Sequence, residues 1–77
     1  MTSGQTSLNN FYRSVQFSNP RIAAAMSEDI VTVSLYGLGG DKSLAWGAVH
    51  RLREQAFDLP EIQRRILNNA LADLGYS

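Results

Sequence analysis

Residues 30–36, with the sequence IVTVSLY, place the strongest constraint on how this 77-residue chain can fold. Apolar and polar side chains alternate along the segment, which is the period of a half-buried β-strand. The apolar set is Val31, Val33 and Leu35, and the polar set is Thr32, Ser34 and Tyr36. A single strand leaves its backbone N–H and C=O groups unpaired. The segment therefore needs a partner, either a second strand in the N-terminal third or the same strand of a second copy.

The other segments have the apolar spacing of three and four residues that predicts amphipathic helices. The first precedes Asn19-Pro20, where the second starts with asparagine as cap and proline at the first helical position. The third follows an Asp41 cap, and the fourth starts at an Asp58 cap with Pro60 inside its first turn and is ended by Gly75. The order predicts a mostly helical α+β fold, with about four short helices and one strand or a short two-stranded ribbon. Residues 1–77 form a single small domain, in which the polar segment 1–6 is predicted to be disordered.

Size, charge and composition argue against several classes of function. Seven Lys/Arg balance seven Asp/Glu, whereas nucleic-acid-binding domains usually carry a basic excess. The chain has no cysteine and one histidine, so thiol chemistry is excluded and no set of metal ligands is evident. A core built from 77 residues leaves no room for an enclosed substrate cavity of the usual ~300 Å³ or more. We therefore expect no enzyme, no metal and no cofactor.

The location of the protein is predicted from what the N-terminus and the apolar segments lack. The N-terminus, MTSGQTSLNN, has neither the basic start nor the apolar run of a signal peptide. No segment approaches the ~20 apolar residues of a membrane span. These features predict a cytoplasmic protein without a membrane partner.

The stretch VSLYGLGGDKSLA, residues 33–45, is similar to the phosphate-binding loop of the plant-resistance-type regulatory ATPases. In those proteins a strand runs into glycines, then a lysine followed by serine or threonine, then a helix. A glycine directly precedes that lysine, because backbone N–H groups wrap the phosphates there. Asp41 occupies this position here, and its carboxylate repels phosphate. We interpret the match as coincidental: Gly37, Gly39 and Gly40 allow a chain reversal, and Asp41 caps the helix that follows.

From residue 30 onward, the order strand, helix, turn, helix resembles the ribbon-helix-helix DNA-binding repressors. In that family two chains pair their strands antiparallel, and the outward side chains of the ribbon enter the major groove. The resemblance implies a homodimer, which would supply the missing partner strand. It also implies that the DNA-contacting residues are Thr32, Ser34 and Tyr36.

Basic and aromatic side chains on the last two predicted helices form a candidate surface for a protein partner. The set is Trp46, His50, Arg51, Arg53, Arg64 and Arg65. Trp46, His50 and Arg53 share one flank of the third helix with Phe57, by their spacing of four, three and four residues. Tryptophan and arginine are enriched among the residues that dominate protein interfaces. No carboxylate pair and no serine beside a base is placed for chemistry, so no catalytic residue is predicted.

These observations predict a small non-enzymatic regulator or inhibitor that acts by binding a larger protein. This class includes many chains encoded by phages and mobile elements. The alternative is a ribbon-helix-helix transcriptional repressor that binds DNA as a homodimer. The two differ in the surface they use, since the first uses the last two helices and the second uses the strand.

Overall fold

The computed structural model describes residues 3–37 and 41–76, and these residues form four α-helices without a strand. Their bounds, in chain order, are α1 Ser3–Ser18, α2 Pro20–Tyr36, α3 Trp46–Ala56 and α4 Glu61–Asp73. A short 3₁₀ turn, Lys42–Ala45, leads into α3. None of the helices in the described part of the chain combines the length and apolar character required to cross a membrane.

The predicted strand is wrong, because residues 30–36 form the second half of α2. Along this segment the buried side chains are Ile30 and Val33, three residues apart, as on one face of a helix. Val31 and Leu35, which the strand pattern placed in the core, are 57% and 62% exposed. The fold is therefore all-helical rather than α+β, and the predicted two-stranded ribbon does not occur in the described residues.

This segment is more stable as a helix than as a single strand, because a helix pairs its backbone N–H and C=O groups within itself. Each β-branched residue costs at most ~0.7 kcal/mol of helix propensity relative to alanine. Burying a valine or isoleucine side chain contributes about 1.5–3 kcal/mol. Met26, Ile30 and Val33 are all buried on one face of α2, so core packing outweighs the unfavourable propensity.

Several helix ends predicted from capping residues are confirmed, but Asp58 is not a cap, because α4 begins at Glu61 after Pro60 and no side chain caps its start. The Asn19 side chain accepts a hydrogen bond from the Ile22 N–H at 3.3 Å, and Pro20 is the first residue of α2. At the end of α4, Gly75 has φ +94°, and Tyr76 N–H donates to the Leu71 carbonyl at 2.8 Å. This is the left-handed glycine termination that ends many helices. α1 starts at Ser3, within the segment predicted to be disordered, and residues 1 and 2 lie outside the described part of the chain.

Hydrogen bonds between helices show that sequential helices run antiparallel. The side chain of Gln5, near the start of α1, donates to Ser34, near the end of α2. Gln63, in the first turn of α4, donates to Ser14 and Ser18 at the other end of α1. Gln55, near the end of α3, donates to the Ala25 carbonyl in the first half of α2. The helices form an up-down-up-down arrangement in which α1 packs on α2 and α4, α2 also packs on α3, and α3 and α4 are in least contact.

Leu74, which follows α4, is buried against Gly4 of α1 and against Gly37, the residue after α2. A Cβ added at Gly4 would lie 2.8 Å from Leu74 Cγ and 3.2 Å from the backbone carbonyl carbon of Asp73. A Cβ added at Gly37 would lie 2.8 Å from Leu74 Cδ2. The missing side chains thus let the end of α4 approach the start of α1 and the end of α2.

We expect Gly4→Ala to destabilise the protein by about 1–2 kcal/mol. Overpacking typically costs about 1–3 kcal/mol, and part of it is offset by the better helix propensity of alanine. Gly47→Ala is the matched control, because it is also helical but its Cβ would meet only Arg51 Nη1 at 3.5 Å. Urea unfolding followed by circular dichroism should show a lower midpoint for the first and an equal or higher midpoint for the second. Equal stabilisation by both substitutions would contradict the close packing of Leu74 on Gly4.

Candidate protein-binding surface on α3 and α4

One flank of α3 carries aromatic and basic side chains beside its buried face. The buried face packs on the core through Ala48, Val49, Leu52 and Ala56. The neighbouring flank, called the α3 flank below, consists of Trp46, His50, Arg53 and Phe57. Within it Trp46 is half-buried, and the other three are exposed, Phe57 to 74%. The flank lies on the side of α3 that faces α4, as its contacts with Arg64 and Tyr76 show.

A groove of about 180 Å³ separates the α3 flank from α4 at the Phe57 end. This α3–α4 groove is lined by Arg53, Ala56, Phe57, Arg64 and Asn68. It is smaller than the ~300 Å³ at which typical small-molecule sites begin. The groove therefore has the size for a side chain of another protein rather than for an organic cofactor.

The two arginines of the groove form no ion pair with any residue that the structure describes. Arg53 donates a hydrogen bond from Nη2 to the Tyr76 carbonyl at 3.2 Å. The guanidinium of Arg64 lies over the Phe57 ring, 6.0 Å from its centroid, within reach of a cation–π interaction. The Nε of Arg64 is buried and has no hydrogen-bond acceptor in the described part of the chain. The groove thus holds two positive charges, and none of its lining residues is acidic.

Tyr76 closes the other end of the α3 flank. Its side chain is fully buried, its hydroxyl donates to the Val33 carbonyl at 3.3 Å, and burial raises its pKa. Its ring meets Trp46 edge-to-face with centroids 5.6 Å apart, and Lys42 Nζ lies 5.9 Å from the ring centroid. Trp46 also lies 6.1 Å from the His50 ring. Trp46 is therefore partly a packing residue that fixes where α3 meets the end of α4.

The structure brings together part of the partner-binding set predicted from the sequence. Arg53 and Arg64 line the same groove, and Trp46 and His50 continue along the same flank of α3. Arg51 lies on the opposite side of α3, where it forms a bidentate ion pair with Asp29 at 2.9–3.2 Å. Arg65 is exposed and pairs with Glu61 one turn earlier on α4.

The three residues assigned to DNA contact by the ribbon-helix-helix resemblance lie on α2, not on a strand. Thr32 donates to the Glu28 carbonyl of the preceding turn, Ser34 is bonded to Gln5 of α1, and Tyr36 is packed against the core. The arrangement that would place them together in a major groove is therefore missing from the described residues.

Phe57 and Asn68 line the groove but were not in the predicted set. Phe57 shares the α3 flank by its spacing, so an exposed aromatic residue at the end of an amphipathic helix was the available signal. No sequence signal marks Asn68. It lines the groove because α4 packs on α1 in a way that turns Asn68 toward α3, and local spacing does not show this packing.

The glycine-rich stretch ends in a cap, as its aspartate predicted. Asp41 Oδ1 accepts from the Ser43 N–H at 3.0 Å and from the Ser43 hydroxyl at 2.6 Å. These hydrogen bonds, the side-chain one foremost, lower the pKa of Asp41 below its ordinary value. Gly39 and Gly40, predicted to reverse the chain, lie outside the described residues. Among the residues that are described, no three His, Cys, Asp or Glu side chains are grouped to hold a metal ion.

Other exposed apolar side chains lie away from the α3–α4 groove. Phe17, which is 94% exposed, ends α1 beside the start of α4, where Ile62 and Ile66 are also exposed. Both isoleucines fit the apolar spacing of three and four residues that predicted α4, yet they lie outside its buried face. Arg65, which lies between the two isoleucines in sequence, is paired with Glu61.

Comparison of the chain with protein-family models, with curated proteins and with solved structures finds no match. The geometry of the surface thus provides the basis for proposing a function.

We expect Arg51→Met to lower the stability of the fold. It removes the partner of Asp29, which is 7% exposed, and leaves a nearly buried carboxylate without its counter-ion. Thermal unfolding is the measurement, with Arg13→Met as the control, because Arg13 is an exposed arginine on α1. A melting temperature unchanged by Arg51→Met would show that the ion pair contributes nothing to stability.

We expect Ser43→Ala to raise the pKa of Asp41 toward the ordinary aspartate value. The cap stabilises the ionised carboxylate, so its contribution is present above the ordinary aspartate pKa and is lost as the pH falls through the lowered value. Carbon-detected NMR titration of the Asp41 carboxyl group measures the shift. Ser27→Ala, a serine on α2, should leave that pKa unchanged. An unchanged Asp41 pKa in Ser43→Ala would mean that the hydroxyl bond is not the main cause.

Proposed function

We propose that this protein is a non-enzymatic regulator or inhibitor that binds a larger protein through the α3 flank and the α3–α4 groove. The observation that carries the proposal is the exposure of Phe57 beside two arginines without acidic counter-ions. A large exposed aromatic side chain next to arginine is the composition of the residues that contribute most to protein interfaces.

The packing of the bundle supports this choice of surface. α3 and α4 are in least contact of the neighbouring helices, and the groove lies between them. Trp46 and Tyr76 pack edge-to-face at the other end of the α3 flank and fix that end in place. Side chains held by such packing lose little conformational entropy when a partner binds.

The second function predicted from the sequence, a homodimeric DNA-binding repressor, stays a prediction. Its ribbon is replaced by α2, so no DNA-contacting site can be named from Thr32, Ser34 and Tyr36. The charge of the chain, seven basic against seven acidic residues, supports the protein-binding proposal in preference to it.

The proposal is tested by placing the photo-cross-linking amino acid benzoylphenylalanine at position 57 and, separately, at position 17. The labelled protein is expressed in its source cells and irradiated, and adducts are identified by mass spectrometry. Phe17 is more exposed than Phe57, at 94% against 74%, so if exposure alone decided the yield, cross-linking would be stronger from position 17. We expect a discrete adduct with one protein from position 57 and little adduct from position 17.

The partner identified in this way should bind Phe57→Ala roughly 30-fold or more weakly than the wild type, as for the truncation of a dominant interface residue. Isothermal titration calorimetry with the purified partner measures the change. Adducts from position 17 instead of 57, or no protein adduct from either, would contradict the proposed surface.

A further inference from the structure

We propose that the α3–α4 groove receives an acidic side chain, glutamate or aspartate, from the partner, with an apolar side chain beside it on Phe57. This inference rests on the proposed function and adds the chemistry by which the partner is recognised. It follows from the charges, the unmet hydrogen-bond donors and the size of the groove.

Arg64 is the principal donor in this assignment. Its guanidinium is held over the Phe57 ring, and its Nε is buried with no acceptor in the described part of the chain. Because Nε is shielded from solvent, a carboxylate that enters the groove would be bound by the Nη groups, for which no described residue is an acceptor. The two Nη groups of arginine carry N–H donors that can face the two oxygens of a carboxylate.

Arg53 adds a second charge that is already positioned. Its hydrogen bond from Nη2 to the Tyr76 carbonyl restrains the side chain, and its remaining N–H groups have no acceptor among the described residues. A carboxylate in the groove would meet two cations and no acidic lining residue. Asn68, on the α4 side, supplies an amide that can donate a further hydrogen bond.

The shape and surroundings favour a carboxylate on a protein over a nucleic-acid phosphate. The volume of about 180 Å³ suits one or two side chains, and Phe57 offers an apolar surface next to the charges. Nucleic acids are bound by extended rows of cations that follow the phosphate backbone. Here the chain between α3 and α4 carries Asp58, and α4 begins with Glu61, so a polyanion leaving the groove in that direction would be repelled.

The test is selection of random dodecamer peptides, displayed on phage, against the immobilised full chain. Three proteins are compared: the wild type, Arg53→Gln with Arg64→Gln, and the matched control Arg13→Gln with Arg21→Gln. The control removes the same charge from exposed positions on α1 and α2. We expect the wild type and the control to enrich peptides in which Asp or Glu neighbours a large apolar residue.

A selected peptide is then synthesised with a fluorescent label, and its binding is measured by fluorescence polarisation. Changing its acid to the amide, or using the Arg53/Arg64 double variant, should each weaken binding roughly tenfold. Because Arg53 also contacts the Tyr76 carbonyl, Arg64→Gln is measured separately as a variant that keeps this contact. Circular dichroism confirms that each variant is folded.

Several results would overturn the inference. One is that the selection yields no peptide, or only peptides that lack acidic residues. Another is that the wild type and Arg64→Gln bind the selected peptide equally well. A third is binding of a dT oligonucleotide that the double variant loses, which would identify a nucleic-acid site instead. The cross-link from position 57 reports on the proposed function separately, so a partner that binds there without an acid on Arg64 would leave that function intact.

Discussion

Burial of one continuous face of α2 is the interaction on which the rest of the structure depends. α2 packs on α1 through one side and on α3 through the other, and Met26, Ile30 and Val33 fill the space between them. The same helix supplies the carbonyl of Val33 to the Tyr76 hydroxyl. Because α2 is a helix to Tyr36, α3 is set against it and the end of α4 can close over both. These contacts leave α3 and α4 with few contacts to each other, and the groove lies between them.

Much of the fold could be predicted from local chemistry, since capping residues act on their immediate neighbours. Asn19-Pro20 and Gly75 mark helix ends that the structure confirms, and Asp41 caps the 3₁₀ turn that leads into α3 rather than α3 itself. Residues 30–36 were mispredicted because seven residues are too few to distinguish the two-residue period of a strand from the three- and four-residue spacing of a buried helical face. The continuing spacing from Met26 to Ile30 to Val33, with no glycine or proline between them, was the signal for a helix. Which face is buried depends on neighbours distant in sequence, and the exposed Ile62 and Ile66 of α4 show the same limit.

Part of the candidate site could be predicted from the sequence, because spacing along a helix is a local property. The spacing along α3 correctly puts Trp46, His50 and Arg53 on one flank, because helical geometry is local. Whether an arginine is free or paired depends on another helix: Arg51 meets Asp29 on α2, and Arg53 faces the groove. The sequence contains no sign of this difference. The meeting of Arg64 with Phe57 likewise requires the antiparallel packing of α3 and α4.

The uneven packing of α3 has a consequence for how the bundle opens. Contacts with α4 are few, whereas α3 is tied to α2 by the Asp29 pair and by the hydrogen bond from Gln55 to the Ala25 carbonyl. Regions with few packed contacts open at lower free energy than the whole molecule. We therefore expect the α3–α4 interface to open before the other helix interfaces at its Phe57 end, while the Trp46–Tyr76 contact opposes opening at the other end of the α3 flank. The molecule can adapt its surface to an incoming side chain at that groove while the α1–α2–α4 core keeps its shape.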